Sequence, residues 1–119
     1  MSKKNGFLEY VLRDAMQDLR GITAKAMFGG YGLYKEGVVF GIIADDELYF
    51  KVDGKNLPQY KERDSRPFTY EGKNRKMIAM PYWEVPAEIL EDREALAGWI
   101  DASVAASRRQ SLGQNRQIQ

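Results

Sequence analysis

The feature that most constrains this chain is the run from Met27 to Asp53, MFGGYGLYKEGVVFGIIADDELYFKVD. Aliphatic or aromatic residues occupy nearly every other position between glycine and acidic turn signals, which is the pattern of β-strands joined by tight turns. The connections are too short for parallel crossovers, so these strands must be antiparallel neighbours. The glycines assigned to the turns, where positive φ or close backbone approach is needed, are Gly29, Gly30, Gly32 and Gly37.

A phosphate-binding loop is the alternative interpretation of the glycine cluster. Such a loop presents backbone N–H groups at a helix start that follows a strand. Here strands are predicted on both sides of Gly29-Gly30, and the spacing of a dinucleotide-binding fingerprint is absent from the sequence. The structural interpretation is therefore preferred.

Helices are predicted on both sides of the meander. An apolar stripe at helical spacing predicts one helix over residues 6–19, and Gly21 follows as a natural stop. Pro86 can occupy the first position of a long closing helical region. After Ser107 the sequence loses its periodicity, so residues 1–107 are interpreted as the domain and residues 108–119 as a flexible tail.

The remaining predicted strands are one before the glycine cluster and two after the meander. They span Ile22–Phe28, Pro67–Tyr70 and Met77–Met80. Pro81 places the last of them at a sheet edge, or ends it there. The predicted fold is α+β: a two-layer arrangement of an antiparallel sheet meander with an N-terminal helix and a long C-terminal helix.

Composition restricts the classes of function. The chain has 119 residues, a formal net charge of +1, no cysteine and no histidine. Thiolate chemistry and the commonest general base and metal ligand are therefore missing, so we predict neither an enzyme nor a bound cofactor. No apolar run approaches the length of a membrane span, and a soluble cytoplasmic protein is expected.

Several motifs then stand together in order. They are MFGGYGLY at Met27–Tyr34, VVFGII at Val38–Ile43, DELYFKVD at Asp46–Asp53, RPFTY at Arg66–Tyr70, KMIAMPYWEVP at Lys76–Pro86 and ILEDREALAGWIDAS at Ile89–Ser103. In this set the chain resembles the TfoX amino-terminal domain family, over nearly its whole length from about Phe7 to Ala106.

The resemblance implies an α+β fold shared with type III secretion chaperones, a bacterial cytoplasmic setting and, for the best-known members, regulation of competence genes. Those members carry a second, helical carboxy-terminal domain, whereas this sequence is interpreted as a stand-alone first domain. The family supplies no agreed catalytic residues.

Positive charge is concentrated in the segment 51–76. Its basic residues outnumber its acidic ones eight to four, and they are Lys51, Lys55, Lys61, Arg63, Arg66, Lys73, Arg75 and Lys76. Such side chains beside tyrosines and a phenylalanine could contact the phosphates and bases of a nucleic acid. They could equally contact an acidic protein or the chain's own acidic closing helix, and these alternatives stay open.

Tyr82 and Trp83 are the second candidate contact. If exposed they would form a protein interface, and the alternative is that they pack under the last helix. Without a convergent catalytic set, the leading hypothesis is a regulatory or adaptor module that binds a protein partner not yet identified. Self-association through an edge strand or helix face, and a nucleic-acid-binding regulator, are the other hypotheses.

Overall fold

The computed structural model describes residues 6–27 and 29–118, with side chains as far as Leu112. Its centre is a six-stranded, fully antiparallel sheet with the strand order β1-β2-β3-β4-β6-β5. The strands are β1 Ile22–Met27, β2 Gly30–Lys35, β3 Val38–Ala44, β4 Glu47–Lys51, β5 Pro67–Glu71 and β6 Met77–Glu84. The helices are α1 Gly6–Glu9, α2 Leu57–Glu62, α3 Ala87–Leu90 and α4 Arg93–Ile118. The predicted α+β class, with an N-terminal helix and a long C-terminal helix, is confirmed. The prediction that the first strand reaches Phe28 concerns a residue outside the described ones.

Two-residue turns, one residue shorter than the sequence suggests, join the central strands. Glu36 and Gly37 have φ values of 49° and 83°, and Asp45 and Asp46 have 52° and 61°. Positive φ at both central residues is the conformation that matches the right-handed twist of an antiparallel hairpin. The three adjacent acidic residues 45–47 are therefore an exposed hairpin tip.

The helices cover one face of the sheet and enclose the core there. Phe40 and Phe50 are fully buried beneath α4, with their ring centroids 5.4 Å apart in an edge-on arrangement. Trp99 of α4 packs on Tyr60 of α2, at 4.5 Å between centroids. Further buried members of this core are Val11, Met16, Leu33, Ile43, Leu48, Val85, Ile89, Leu96 and Ile100.

The N-terminal helix differs from its prediction. The sequence predicts a single α-helix over residues 6–19, but α1 gives way to a π-helical segment at Tyr10–Ala15. The Met16 N–H donates to the Val11 carbonyl at 2.9 Å, which is the five-residue spacing of a π-helix. The wider turn places Val11 and Met16 on the same side of the helix, and both are buried. In a regular α-helix, residues five apart point in clearly different directions.

Pro81 neither lies at an edge nor ends a strand, so that prediction is wrong. Strand β6 continues through it to Glu84 and lies between β4 and β5. Its pairing with β5 jumps from Pro67↔Trp83 to Thr69↔Ala79, which is a bulge opposite the proline. The Pro81 carbonyl accepts a hydrogen bond from the Val52 N–H at 2.9 Å, and Val52 lies just beyond the end of β4. An irregular ladder at that point tolerates a residue without a donor.

Helix α4 continues through residues 108–118, the segment predicted to be a flexible tail. The segment lacks apolar periodicity, but arginine, glutamine and leucine all favour helix. The Arg109 guanidinium also donates two hydrogen bonds to Asp53, from Nε to Oδ2 at 2.6 Å and from Nη2 to Oδ1 at 3.0 Å. The domain boundary at residue 107 stays a prediction.

Candidate protein-binding face of the sheet

The face of the sheet opposite the helices carries an apolar trough. Because side chains alternate along a strand, the residues that pair across the sheet at Ile42 and Tyr49, or at Lys51 and Tyr82, lie on this second face. The trough has a volume of about 570 Å³. Its lining includes Met27, Gly30, Ile42, Ala44, Phe68, Tyr70, Met80 and Tyr82. We call these eight residues and the space between them the trough.

Glycines allow the strands of the trough to approach one another. A Cβ on Gly30 would stand 2.1 Å from the Ile43 carbonyl oxygen, and one on Gly32 would stand 2.8 Å from the Met27 Sδ. Both residues lie in β2 rather than in a turn, and of the two roles predicted for the glycines they have close contact and not positive φ. Gly29 and Gly37 do have positive φ, at 82° and 83°, as turn residues.

The hairpin of β5 and β6 forms one wall of the trough and exposes apolar side chains. Tyr70 and Ile78 are cross-strand partners that remain 43% and 39% exposed. Phe68 lies edge-on to Tyr49, at 5.1 Å between ring centroids. On the opposite side Met27 is 38% exposed. These exposed apolar side chains are gathered around one depression rather than scattered singly over the surface.

Tyr49 lies beside this wall, and the pKa of its phenol is shifted. Its hydroxyl donates a hydrogen bond to Glu47 at 2.9 Å. Burial, followed by that hydrogen bond and neighbouring negative charge, raises the pKa of Tyr49 to about 12. The phenol therefore stays neutral and in place at physiological pH.

The eight basic residues of segment 51–76 do not share one location. Lys51 is buried on the sheet face beside Tyr82, whereas Lys55, Lys61, Arg63 and Arg66 lie exposed on and around α2. Arg63 is already engaged: it lies over the Trp99 ring at 5.2 Å and donates to the Gln59 carbonyl at 3.2 Å. Lys73, Arg75 and Lys76 occupy the exposed tip of the β5–β6 hairpin.

Tyr82 and Trp83 do not form a joint corner. As neighbours in β6 they point to opposite faces of the sheet. Tyr82 is 9% exposed and lines the trough, whereas Trp83 is partly buried against the core and pairs with Phe50. Neither side chain is freely exposed, and only Trp83 belongs to the helix-covered core, so a role in partner contact stays a prediction for Tyr82.

Sequence reasoning missed most of the trough, including Met27, Ile42, Phe68, Tyr70 and Met80. One signal was available. Large apolar residues occupy both faces of strand β6. Met77, Pro81 and Trp83 lie on one face, and Ile78, Met80 and Tyr82 lie on the other. A strand that is covered on one face only is expected to alternate apolar with polar residues.

Two other features are at issue in the described part of the chain, a metal site and a membrane-spanning helix. No group of three or more acidic residues converges there in a geometry that could hold a metal ion. Over the same residues, no helix combines the length and apolar character needed to cross a bilayer.

The fold and the half-covered sheet define a small α+β domain with one open apolar face. The chain belongs to the TfoX N-terminal domain family, whose model matches residues 14–107. It is also similar to the DNA transformation protein TfoX of Haemophilus influenzae, with 26% identity over 113 residues. That match covers 94% of this chain and 52% of the relative, so the chain spans about half the length of the curated protein it matches.

Proposed function

We propose that this protein is a cytoplasmic regulatory module, linked to the control of DNA transformation, that acts by binding another protein at the trough. The link to transformation is supported by the family and by the name of the relative. The binding mode is supported by one observation: the face of the sheet that no described helix covers carries an open apolar depression lined by the exposed Met27 and Tyr70, and Ile78, the cross-strand partner of Tyr70, is also exposed.

The chemistry of the lining favours a protein partner. Two methionines and four aromatic or branched side chains surround a floor of small residues, with few polar atoms to orient a small ligand. Methionine adapts its shape to irregular apolar surfaces, and aromatic residues are enriched where proteins meet. The expected occupant is a partner segment that presents aliphatic or aromatic side chains.

The exposed fractions set the expected size of the effect. Full burial of a large apolar side chain is worth about 1.5–3 kcal/mol. Tyr70 and Ile78 still expose 43% and 39% of their surface. Covering those fractions should contribute roughly 1 kcal/mol each, so removing both should weaken the complex by about 30-fold.

Partner capture with two variants tests this proposal. Tyr70→Ser with Ile78→Ser removes one lining residue of the trough and its exposed cross-strand neighbour, and Met77→Ser is the matched control. Met77 is the most exposed large apolar residue on the same hairpin, at 65%, but it pairs with Glu71 on the other face. We expect a nuclease-resistant protein partner to be retained by wild type and by Met77→Ser and lost by the double variant. Equal retention by all three proteins would refute the trough as the contact.

Nucleic-acid binding is the second candidate, favoured by the three exposed basic residues at the hairpin tip. The same experiment separates it from the first. Capture that disappears after nuclease treatment, and also after Lys73, Arg75 and Lys76 are each changed to Gln, would replace protein contact by contact with a phosphate backbone.

A further inference from the structure

A second depression lies between the β2–β3 hairpin and residues 107–112 of α4. We call it the Lys51 cleft. It has a volume of about 610 Å³. Its wall includes Tyr34, Val38 and Val39 from the sheet and Ser107, Arg108, Ser111 and Leu112 from α4, with Lys51 between them. It shares no lining residue with the trough, so the inference stands apart from the proposed function.

Lys51 is an unusual residue to find at this depth. It is 8% exposed, and lysine is almost never buried without a partner. Its ammonium lies 5.0 Å from the centroid of the Tyr82 ring. Among the described residues no carboxylate or hydrogen-bond acceptor pairs with that ammonium. Burial lowers the pKa of Lys51, because the ammonium loses hydration and its described contact is with the face of an aromatic ring rather than with an anion.

Two of the nearby carboxylates, those of Asp53 and Asp101, are already engaged, and the exposed Glu36 lines the neighbouring depression with Arg108 rather than the cleft itself. Asp53 lines a smaller adjoining cleft with Lys51, but both of its oxygens accept hydrogen bonds from Arg109. Asp101, which shares a neighbouring depression with Arg108, is paired with Lys35 at 2.7 Å. The positive charge of Lys51 is therefore left without a counterion from these groups.

The rest of the Lys51 cleft complements an anion with an apolar body. No acidic residue contributes to its described lining, and Arg108 adds a second positive charge. Tyr34 and Ser111 are also lining residues, and their hydroxyl groups are neutral hydrogen-bond donors. Val38, Val39 and Leu112 supply an apolar side.

We propose that the Lys51 cleft binds a small molecule with one anionic head group on an apolar or aromatic body. The head group lies between Lys51 and Arg108, and the body packs on the valines and Leu112. A phosphate or a carboxylate satisfies this requirement, because both accept charge-assisted hydrogen bonds from an ammonium and a guanidinium.

Calorimetric titration of the full chain with three probes tests this site. Adenosine monophosphate represents a phosphate head, octanoate represents a carboxylate head, and inorganic phosphate lacks a body. We expect saturable binding of at least one of the first two, more tightly than inorganic phosphate. Lys51→Met, which keeps the stem but removes the charge, should weaken that binding by ~10-fold to 100-fold. The exposed Lys55→Met is the matched control and should bind as wild type.

A protection experiment covers the case in which Lys51→Met fails to fold. Reductive methylation of the wild-type protein, read by mass spectrometry, should be slowed at Lys51 by a saturating probe and left unchanged at Lys55. Three results would overturn the proposal: no saturable binding of adenosine monophosphate or octanoate, binding that folded Lys51→Met retains in full, or methylation of Lys51 that is insensitive to the probes. Inorganic phosphate binding as tightly as the larger probes would also overturn it, by removing the role of the apolar side.

Discussion

Gly30→Ala should be one of the most destabilising small substitutions in this protein. The added Cβ would stand 2.1 Å from the Ile43 carbonyl oxygen, whereas ordinary contact begins at 3.4 Å. The neighbouring backbone must therefore move by about 1.3 Å, in a sheet whose strands lie only about 4.8 Å apart. Ile43 pairs with Tyr31 in the adjacent register position, so this movement disrupts the β2–β3 ladder.

The magnitude follows from two contributions. Overpacking a filled site costs about 1–3 kcal/mol, and each ladder hydrogen bond lost costs about 1 kcal/mol. We expect the free energy of unfolding of Gly30→Ala to fall by ~3 kcal/mol, which for a domain of this size lowers the melting temperature by about 12 °C. Urea denaturation followed by circular dichroism measures the first quantity, and thermal unfolding measures the second.

Gly37 provides the matched controls. It has a φ of 83°, and no heavy atom lies within 4 Å of the position where its Cβ would be. Gly37→Ala should therefore incur only the left-handed backbone cost of about 1–2 kcal/mol, and Gly37→Asn less, because asparagine adopts this conformation more readily. A Gly30→Ala variant within about 1 kcal/mol of wild type would refute the close-contact explanation, since a backbone oxygen cannot rotate away as a side chain can.

Three further outcomes are expected. Phe50→Ala, at a fully buried position, should lower the free energy of unfolding by about 3–5 kcal/mol, whereas Met77→Ala, at a position 65% exposed, should change it little when both are measured by urea denaturation. Because folding raises the pKa of Tyr49 from 10.0 to about 12, its contribution to stability is present below pH 10 and is lost as the pH rises towards 12; Tyr49→Phe should flatten that alkaline decline in a pH series of melting temperatures. The hydrogen bonds from Arg109 lower the pKa of Asp53, so this contribution is present above pH 3.8 and is lost as the pH falls through the lowered value; Asp53→Asn should make the melting temperature less sensitive to acid, and an unchanged acid response would contradict the pairing.

The hairpin region could be predicted from the sequence because its determinants are local. Positive φ at Glu36-Gly37 and at Asp45-Asp46 depends on turn residues that the sequence displays directly. The π-helical segment could not be predicted, because the apolar spacing of residues 8–19 also fits an ordinary α-helix. What selects the wider turn is the burial of Val11 and Met16 together, which is a tertiary contact.

The strand order was beyond prediction for a similar reason. Insertion of β6 between β4 and β5 requires β4 to pair with a strand 26 residues further along the chain, counted from Lys51 to Met77. Proline is unusual in an internal strand because it has no N–H to donate, so Pro81 favours an edge position for β6. The bulge opposite Pro81 is what allows the residue inside the sheet. The trough depends on this order, because Met80 and Tyr82 reach the open face near Ile42 only when β6 lies beside β4.

The composition of the open face is what stability alone does not explain. A sheet covered on one side is stable with polar residues on the other, so polar side chains at positions 42, 70, 78 and 80 would cost the folded chain little. The protein instead places isoleucine, tyrosine, isoleucine and methionine there, two of them about two-fifths exposed. Departures from the local pattern are expected at functional surfaces, where the free energy of binding a partner offsets them.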